Sequence, residues 1–504
     1  MKENYVIGID IGTGSTKAVA LNVRQEVVAT SQQHYTSIPA APGIAEQSVQ
    51  DIWQALVHCI TDVVTQMQQP PAMVSLSACM HSLLAVDAAG QPITNMITWA
   101  DARSQIVAEE LRQSGEAEAL YTATGTPLHS MSPLSKIIWF AQKEKETFTS
   151  AARWISIKEY IWWCLFGVYE VDVSIATASG LMNIHQFGWH GPALQLAQIN
   201  ESQLSVIRPT TFMRSNLCDG ALKLMPQLGE TEFCIGSSDG CMANVGSHAL
   251  QKGIGALTIG TSAAVRVATQ KPVNHYGSMI FSYPIDEQTF ISGGAVNNGG
   301  NAVHWTIKKL KGLSHPGQKD YETFYKQVGN VPAGSEGLLC LPYFIGERAP
   351  VWDERSSGAF IGVKAHHTQV HFHRAALEGV CFALHQVLQD VEAATGKVEQ
   401  LNVSGGFIRS AMWLQMLADV TGKKLCIVTE EDASATGAAL LAMRAKGWVN
   451  AESKTEKELQ TIHPHEKQRS LYQSYFNIYK TLYPSLQFAM HQVYQLQQNV
   501  SISF

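Results

Sequence analysis

A short strand–turn–strand pattern close to the N-terminus constrains the fold of this chain more than any other feature. The apolar run Tyr5 to Ile9 predicts a buried strand that ends at Asp10, and Ala18 to Leu21 predict a returning strand. The turn between the two strands is Gly12-Thr13-Gly14-Ser15-Thr16-Lys17. Its two glycines let the backbone approach a ligand closely. The pattern is therefore either an ordinary hairpin or a hairpin built around a ligand.

The composition of this turn is suited to phosphate groups. Backbone N–H groups and hydroxyls in such a turn favour a polyphosphate, and the adjacent carboxylate of Asp10 can hold a hydrated Mg²⁺. The turn is not a dinucleotide fingerprint, because no third glycine follows and no helix begins after it. Lys17 is also not placed as in a Walker P-loop. Asp10 has a structural alternative as a turn-forming residue.

The second half of the chain repeats this pattern. Ile254 to Ile259 predict a strand, Gly260-Thr261-Ser262 a small polar turn, and Ala263 to Ala268 a returning strand. A third strand, Val403-Ser404, leads into Gly405-Gly406. A chain of 504 residues exceeds the size of one ordinary core. The repetition predicts two α/β domains, 1–246 and 247–504, with a cleft between them.

Composition excludes several classes of function. The formal charge of −6 gives no electrostatic reason to expect nucleic acid or a membrane as partner, although local cations still allow a small anionic substrate. The nine cysteines contain no C-x-x-C pair, which favours reduced thiols. Residues 1–30 lack the pattern of a signal peptide, and no apolar run reaches the ~20 residues of a membrane span. We expect a cytoplasmic protein.

Asp239 is the candidate catalytic base. It follows the apolar run Phe233 to Gly236 and precedes a predicted helix, Met242 to Leu250. A carboxylate at such a strand end can accept a proton from a substrate hydroxyl. A plain helix N-cap is the structural alternative.

A candidate substrate pocket follows the predicted strand Met73 to Ala78. Ligands collect at strand ends of this kind in open α/β sheets. The candidate residues are Met80, His81, Trp99 and Asp101, with a position in the core as the alternative for Met80 and His81. His366, His367, His371 and His373 resemble metal ligands in spacing, but no cysteine or carboxylate cluster in the sequence completes a coordination sphere.

Two longer stretches resemble the signatures of the FGGY family of carbohydrate kinases. Met131 to Phe140 is similar to the first signature, from which Lys143 departs, and residues 358–378 are similar to the second, in which His371 is a helix-start position. The likeness within the family is to bacterial members that phosphorylate gluconate. The segments of the sequence that carry this likeness are residues 78–82, 97–104, 125–129, 156–161, 296–300 and 346–350.

The resemblance implies two actin-like (ribonuclease H-like) domains, with a sugar acid in the cleft between them and ATP mainly on the second domain. It implies that Asp239 is the catalytic base and that Asp10 organises Mg²⁺, through water. It implies that Gly12-Thr13-Gly14, with Lys17, and Gly260-Thr261-Ser262 bind phosphates, and that Gly405-Gly406 lie beside the adenosine. Asn297 joins the substrate residues, and Arg266 and His81 are the candidate partners of a substrate carboxylate; an inter-domain or surface ion pair is the alternative for Arg266.

The implied activity is ATP-dependent phosphorylation of the primary hydroxyl of a sugar acid, D-gluconate to 6-phospho-D-gluconate. Two alternatives stay open at this point: the same chemistry on a neutral ketose or polyol such as xylulose or glycerol, and an actin-like ATPase without a small substrate. Members of the family are often homodimers, and nothing in the predicted C-terminal helix tests that state.

Overall fold

The computed structural model describes residues 4–41, 43–313, 317–429, 432–449 and 460–501. The strands are β1 Tyr5–Ile11, β2 Ser15–Asn22, β3 Val27–His34, β4 Ser37–Ile38, β5 Glu46–Gln47, β6 Met73–Ala78, β7 Leu84–Val86, β8 Met96–Ile97, β9 Arg153–Ile155, β10 Glu170–Asp172, β11 Met182–Asn183, β12 Gly188–Trp189, β13 Val206–Arg208, β14 Met213–Arg214, β15 Glu232–Ser238, β16 Ile254–Ile259, β17 Ala263–Thr269, β18 Phe281–Pro284, β19 Phe290–Val296, β20 Leu339–Leu341, β21 Ala359–Ile361, β22 Gln400–Ser404, β23 Lys424–Ile427 and β24 Thr461–Ile462.

The helices are α1 Val49–Met67, α2 Gln105–Gln113, α3 Ala117–Thr124, α4 Pro133–Lys143, α5 Lys145–Ser150, α6 Ile157–Phe166, α7 Val173–Ala178, α8 Gly191–Ala197, α9 Asp219–Leu224, α10 Asp239–Gly246, α11 Gly300–Trp305, α12 Gln318–Gly329, α13 Gln369–Thr395, α14 Ala411–Thr421, α15 Ala433–Ala445 and α16 Glu466–Ser501. Both predicted hairpins are present, as β1–β2 and β16–β17.

The described residues form two compact units that interleave along the chain. The first unit draws on 1–250, 268–292 and 430–456, and the second on 251–267, 293–429 and 457–504. The boundary that the sequence predicts at residue 246 stays a prediction.

The first unit is built on a six-stranded sheet in the order β14-β15-β6-β1-β2-β3. The hairpin partners β1 and β2 are antiparallel, whereas β6 runs parallel to both β1 and β15. Because side chains alternate across a strand, Ile7, Ile9 and Ile11 face the apolar core that includes the buried side of α1. Gly8 and Asp10 point to the opposite face, where α15 packs on the sheet.

Glycine makes the close packing of α15 possible. A Cβ added to Gly8 would lie 1.8 Å from the carbonyl oxygen of Ala435. Where α15 crosses α10, a Cβ on Gly437 would lie 1.9 Å from the carbonyl oxygen of Met242, and one on Gly246 would lie 1.9 Å from that of Ala433. Real side chains do not tolerate such distances, so these contacts require glycine at positions 8, 246 and 437.

The second unit contains strands in the order β17-β16-β22-β23-β24, with β16, β22 and β23 parallel to one another. The long helix α13 is almost entirely buried along its middle, and α14 and α16 pack beside it. His366 and His371 lie at its start and contact the carboxylate of Glu336.

Two absences hold for the described ranges. No group of three or more histidine, cysteine, aspartate or glutamate side chains in them could hold a metal ion. No helix in them is long and apolar enough to cross a bilayer.

All nine cysteines are free thiols.

Candidate active site

Asp10 ends strand β1 on the face that α15 covers. Ser77, its register partner on β6, donates its hydroxyl to Asp10 Oδ1 at 3.0 Å. Burial raises the pKa of Asp10 well above its usual range, and the negative charges of Asp432 and Asp239 raise it further. The Ser77 hydrogen bond and the positive charge of Lys17 act in the opposite direction. Three carboxylates therefore lie within electrostatic reach of one another.

Asp239 is the first residue of α10, at the corner where β15 becomes helix. Its Oδ1 accepts a hydrogen bond from its neighbour Gly240 N at 2.7 Å, while Ser238, not Asp239, is the N-cap residue. A bulge between Cys234 and Ser237 precedes the corner, with Gly236 at φ +67°. The side chain of Asp239 is half-buried. Ser238 therefore has the N-cap role that was the structural alternative for Asp239.

Asp432 is a site residue that sequence reasoning missed. Lys17 Nζ lies 2.7 Å from Asp432 Oδ2, although Lys17 stands directly opposite Asp10 in the β1–β2 register. The other carboxylate oxygen of Asp432 accepts the N–H of Ala435 at 2.8 Å and so caps α15. The two partners of this ion pair are 415 residues apart, and only the capping position of Asp432 before an apolar run could have drawn attention to it.

The turn between β1 and β2 is open. Gly12 N donates to Ser15 O at 3.0 Å, and a Cβ at Gly12 would lie 3.6 Å from Asp10 Oδ2. Gly14 is exposed, with open space where a side chain would be. The carbonyl of Thr13 accepts a hydrogen bond from Gln47. The turn therefore keeps Asp10 and Lys17 side by side at its base.

His81 follows β6 with a left-handed backbone, φ +63°. Its Nδ1 lies 2.8 Å from Ala178 O, so this nitrogen is assigned the hydrogen, and Nε2 faces the hydroxyl of Tyr283 at 3.4 Å. Met80 is half-buried against the small apolar cluster that includes Val171 and Met182. An Nε2 with a lone pair accepts a hydrogen bond from a hydroxyl, which is what recognition of a polyol requires.

Asp101 is fully buried and has internal partners. Arg103 donates to both of its oxygens, each at 2.8 Å, and Ala45 N donates to Oδ2 at 2.8 Å. The half-buried Trp99 precedes it by two residues. The carboxylate of Asp101 thus fixes the loop that carries Trp99.

Three glycine segments of the second unit converge at the carboxyl end of β16. Gly300 N donates to Gly260 O at 2.8 Å, and Asn301 N donates to Thr261 O at 3.1 Å. A Cβ on Gly299 would lie 2.6 Å from the carbonyl carbon of Ser262. On the other side, Gly405 has φ +102°, and a Cβ there would lie 2.3 Å from Ile259 O. The backbone around Gly260-Thr261-Ser262 is thereby packed closely between the Gly299-Gly300 segment and Gly405.

Asn297 lies at the end of β19, beside the buried carboxylate of Glu347. Glu347 Oε1 accepts the backbone N–H groups of Asn297 and Arg348, and Oε2 accepts Asn298 Nδ2 at 3.0 Å. Burial raises the pKa of Glu347 to about 7. Within the described ranges, the buried Oδ1 of Asn297 has no hydrogen-bond partner.

Arg266 lies half-buried on β17.

The structure thus groups the predicted residues within each unit. In the first unit Asp10, Lys17 and Asp239 lie together, with Asp432 added, and His81 belongs to the same sheet edge. In the second unit the Gly260 turn, the Gly299-Gly300 segment and Gly405 lie together. The roles predicted for these residues stay predictions.

Comparison with known proteins shows which family the chain belongs to. Residues 5–246 match the N-terminal domain, and residues 255–446 the C-terminal domain, of the FGGY family of carbohydrate kinases. The chain belongs to this family. The resemblance drawn from the signatures is confirmed, and with it the two-domain, actin-like α/β fold.

The chain is also similar to individual members of this family. The chain is 37% identical to a gluconokinase of Bacillus subtilis (strain 168), over 89% of each chain. The crystal structure of a gluconate kinase from Lactobacillus acidophilus superposes with a TM-score of 0.90 at 30% identity, covering 96% of this chain and 98% of that one. A ligand-bound xylulose kinase from the same organism gives a TM-score of 0.91 at 30% identity, covering 97% and 100%.

Proposed function

We propose that the protein transfers the γ-phosphate of ATP to the primary hydroxyl of a sugar acid, converting D-gluconate to 6-phospho-D-gluconate. One observation supports this most: Asp239 stands at the β15–α10 corner, within electrostatic reach of Asp10 at the base of an open glycine turn. An oriented proton acceptor beside phosphate-binding backbone is the main requirement of phosphoryl transfer. The gluconokinase and gluconate kinase relatives support the choice of gluconate.

Asp239 acts as the general base in this proposal. Its carboxylate takes the proton of the primary hydroxyl as a bond forms between that oxygen and the γ-phosphorus. The bond between the γ-phosphorus and the bridging oxygen of the β-phosphate breaks, and ADP leaves. Lys17 and the N–H groups of Thr13 and Gly14 neutralise charge on the transferring group, because the N–H of Gly12 already donates to Ser15 O.

Mg²⁺ fits the carboxylates that the first unit presents. Asp10 receives one hydrogen bond, from Ser77, and the charges of Asp239 and Asp432 lie near it, so unbalanced negative charge remains. Because the described residues offer no protein cage of three ligands, Asp10 would hold the ion through water, as Mg²⁺ prefers. When bound, the ion supplies charge neutralisation of the phosphates.

The nucleotide is proposed to bind the second unit. The rigid Gly260-Thr261-Ser262 turn offers N–H groups and hydroxyls to phosphates, and Gly405-Gly406 leave space for the adenosine. Arg266 and His81 stay the candidates for the substrate carboxylate. The cytoplasmic location and the homodimer stay predictions.

The test replaces Asp239 with asparagine, which keeps the shape of the side chain and removes its basicity. We expect Asp239→Asn to bind ATP as the wild type does and to lose turnover by roughly 10²–10⁴-fold, the range of general-base catalysis. Asp219→Asn is the matched control, since Asp219 is also the first residue of a helix but is exposed. Near-normal turnover of Asp239→Asn would remove Asp239 from this role.

A neutral ketose is the second candidate substrate, because the xylulose kinase structure superposes as well as the gluconate kinase does. Coupled ADP detection with gluconate, xylulose and glycerol separates the two. We expect the highest kcat/KM with gluconate. A higher value with xylulose would replace the proposed substrate, and ATP hydrolysis that no sugar stimulates would contradict a kinase.

A further inference from the structure

Lys136 is a completely buried lysine that the proposed mechanism does not use. It lies on the first helical turn of α4, and its side chain is 0% exposed. Its ammonium group donates to two backbone carbonyls, those of His81 at 2.8 Å and Thr98 at 2.7 Å. These carbonyls belong to different loops, and each loop carries predicted substrate residues: Met80 and His81 on one, Trp99 and Asp101 on the other.

Burying an ammonium group in this way costs free energy, which indicates that Lys136 has a role beyond packing. Burial lowers the pKa of Lys136 to about 7, although the negative charge of Asp101 favours its protonated form. Within the described ranges no carboxylate pairs directly with Lys136, and the nearby Asp101 is already bound to Arg103. The two carbonyls are therefore its only hydrogen-bond partners among the described residues.

The loops that Lys136 joins are otherwise fixed from different directions. His81 has a left-handed backbone, and its ring is bound to Ala178 on α7. The Thr98–Asp101 loop is bound to Ala45 and Arg103. Strands β6 and β8 are not neighbours in one sheet, but Leu83 and Ile97, which lie beside the two loops, form an isolated antiparallel bridge with backbone hydrogen bonds of 3.0 and 2.8 Å. The ammonium group of Lys136 adds a second connection beyond the end of this bridge, at the carbonyls of His81 and Thr98.

We propose that Lys136 is a positioning residue that fixes the His81 and Trp99 loops relative to each other beyond the Leu83–Ile97 bridge and thereby sets which polyols the substrate pocket accepts. The inference rests on the proposed function only in placing the sugar between these two loops. Lys136 does not touch the substrate and acts through the two loop backbones.

The test compares Lys136→Met with Lys158→Met. Lys158 is the matched control, because it too is a buried lysine that donates to a backbone carbonyl, that of Ser237 at 2.9 Å, beside an ion pair with Asp172. It contacts the strand that leads to Asp239 and neither pocket loop. Both variants remove an ammonium group and leave buried carbonyls, and Lys158→Met also leaves the buried carboxylate of Asp172 without this partner.

For Lys136→Met we expect KM for gluconate to rise by about ten- to hundredfold, the loss expected when hydrogen bonds to a charged group disappear, with KM for ATP within about twofold. The ratio of kcat/KM between gluconate and xylulose should fall towards one. For Lys158→Met we expect the loss mainly in kcat. Lys136→Arg, which restores donors, should recover part of the wild-type KM.

Three results would overturn the inference. One is an unchanged KM for gluconate with a lowered kcat in Lys136→Met, the pattern expected of Lys158→Met. Another is an equal rise of the KM values for gluconate and ATP. The last is failure of Lys136→Met and Lys136→Arg alike to fold by circular dichroism, which would assign Lys136 to stability alone. If the wild type prefers another sugar, the proposed substrate fails, and the same KM comparison on that sugar still tests Lys136.

Discussion

Alternation along two strands decides which residues meet at the candidate site. Even-numbered residues of β1 face α15, so Asp10 lies within electrostatic reach of Asp432, the residue that caps this helix. Lys17 stands across the hairpin from Asp10 but binds Asp432 at 2.7 Å. The pair is partly shielded from solvent, since Asp432 is 9% exposed and Lys17 is 35% exposed. We infer that Asp432 competes with Asp10 for the charge of Lys17 and so leaves part of the negative charge of Asp10 to a cation.

Asp432→Asn tests this separation of charges. Asparagine caps helices as well as aspartate does, so α15 should keep its stability while Lys17 loses its charged partner. We expect KM for ATP to rise several-fold, and the Mg²⁺ concentration for half-maximal rate to rise with it, because Lys17 can then pair with Asp10. Melting temperature and steady-state kinetics are the measurements.

Asp432→Ala is the comparison, since it removes the cap as well. It should lower stability by about 0.5–2 kcal/mol beyond the asparagine variant. If Asp432→Asn left the ATP and Mg²⁺ dependence at wild-type values, the ion pair would have no part in arranging the site.

At the scale of elements, the bulge in β15 aims the candidate base. Gly236 has a left-handed backbone and packs against the neighbouring strand β6, where an added Cβ would lie 1.8 Å from Leu76 O. The register shifts between Cys234 and Ser237, and Asp239 follows directly. Lys158 and Ser174 support the corner, through Ser237 O and Ser238 Oγ.

Gly236→Ala should therefore impair both folding and turnover. The methyl group meets backbone that cannot move without breaking the ladder, so we expect a loss of about 1–3 kcal/mol in stability, in the range of backbone strain. In the folded fraction kcat should fall, while KM for ATP should change little. Gly188→Ala is the control, because nothing lies within 4 Å of its added Cβ. Equal behaviour of the two variants would contradict a special role for the bulge.

Local sequence patterns predicted secondary structure elements but not the contacts between residues that lie far apart in the chain. The two hairpins follow from apolar runs on either side of a small polar turn, which neighbouring residues determine, and the structure has both of them. The placement of Asp432 against Lys17, of Lys136 between two loops, and of Glu347 beneath Asn297 depends on tertiary packing. No local pattern encodes such pairs. Asp101, expected to face the substrate, has Arg103 and Ala45 N as partners.

At the scale of the whole molecule, buried titratable groups give stability a pH dependence. Burial raises the pKa of Glu347 to about 7, above its usual 4.5. The folded protein therefore binds this proton more tightly than the unfolded chain, and the contribution of Glu347 to stability falls as pH rises from 4.5 to 7. His373 and His385, whose pKa burial lowers to about 4, act in the opposite sense below 6.5.

Glu347→Gln isolates the contribution of this carboxyl group. We expect the variant to gain stability relative to the wild type as pH rises from 4.5 to 7, by about 1–3 kcal/mol in total, because the glutamine cannot ionise. Urea unfolding of both proteins at pH 5 and pH 8 is the measurement. A stability difference that is the same at both pH values would show that Glu347 does not titrate in this range.

The packing of α15 against β1 has a consequence for biosynthesis. The ribosome delivers β1 first, whereas the helix that covers its second face begins at Ala433. At about 5–20 residues per second, the growing chain waits roughly 20 to 90 seconds for that cover. Until then the backbone at Gly8 lacks its partner, so the first unit cannot be complete before α15 has been synthesised. A message truncated upstream of codon 433 would yield a product for chaperones and proteases, however complete its N-terminal half.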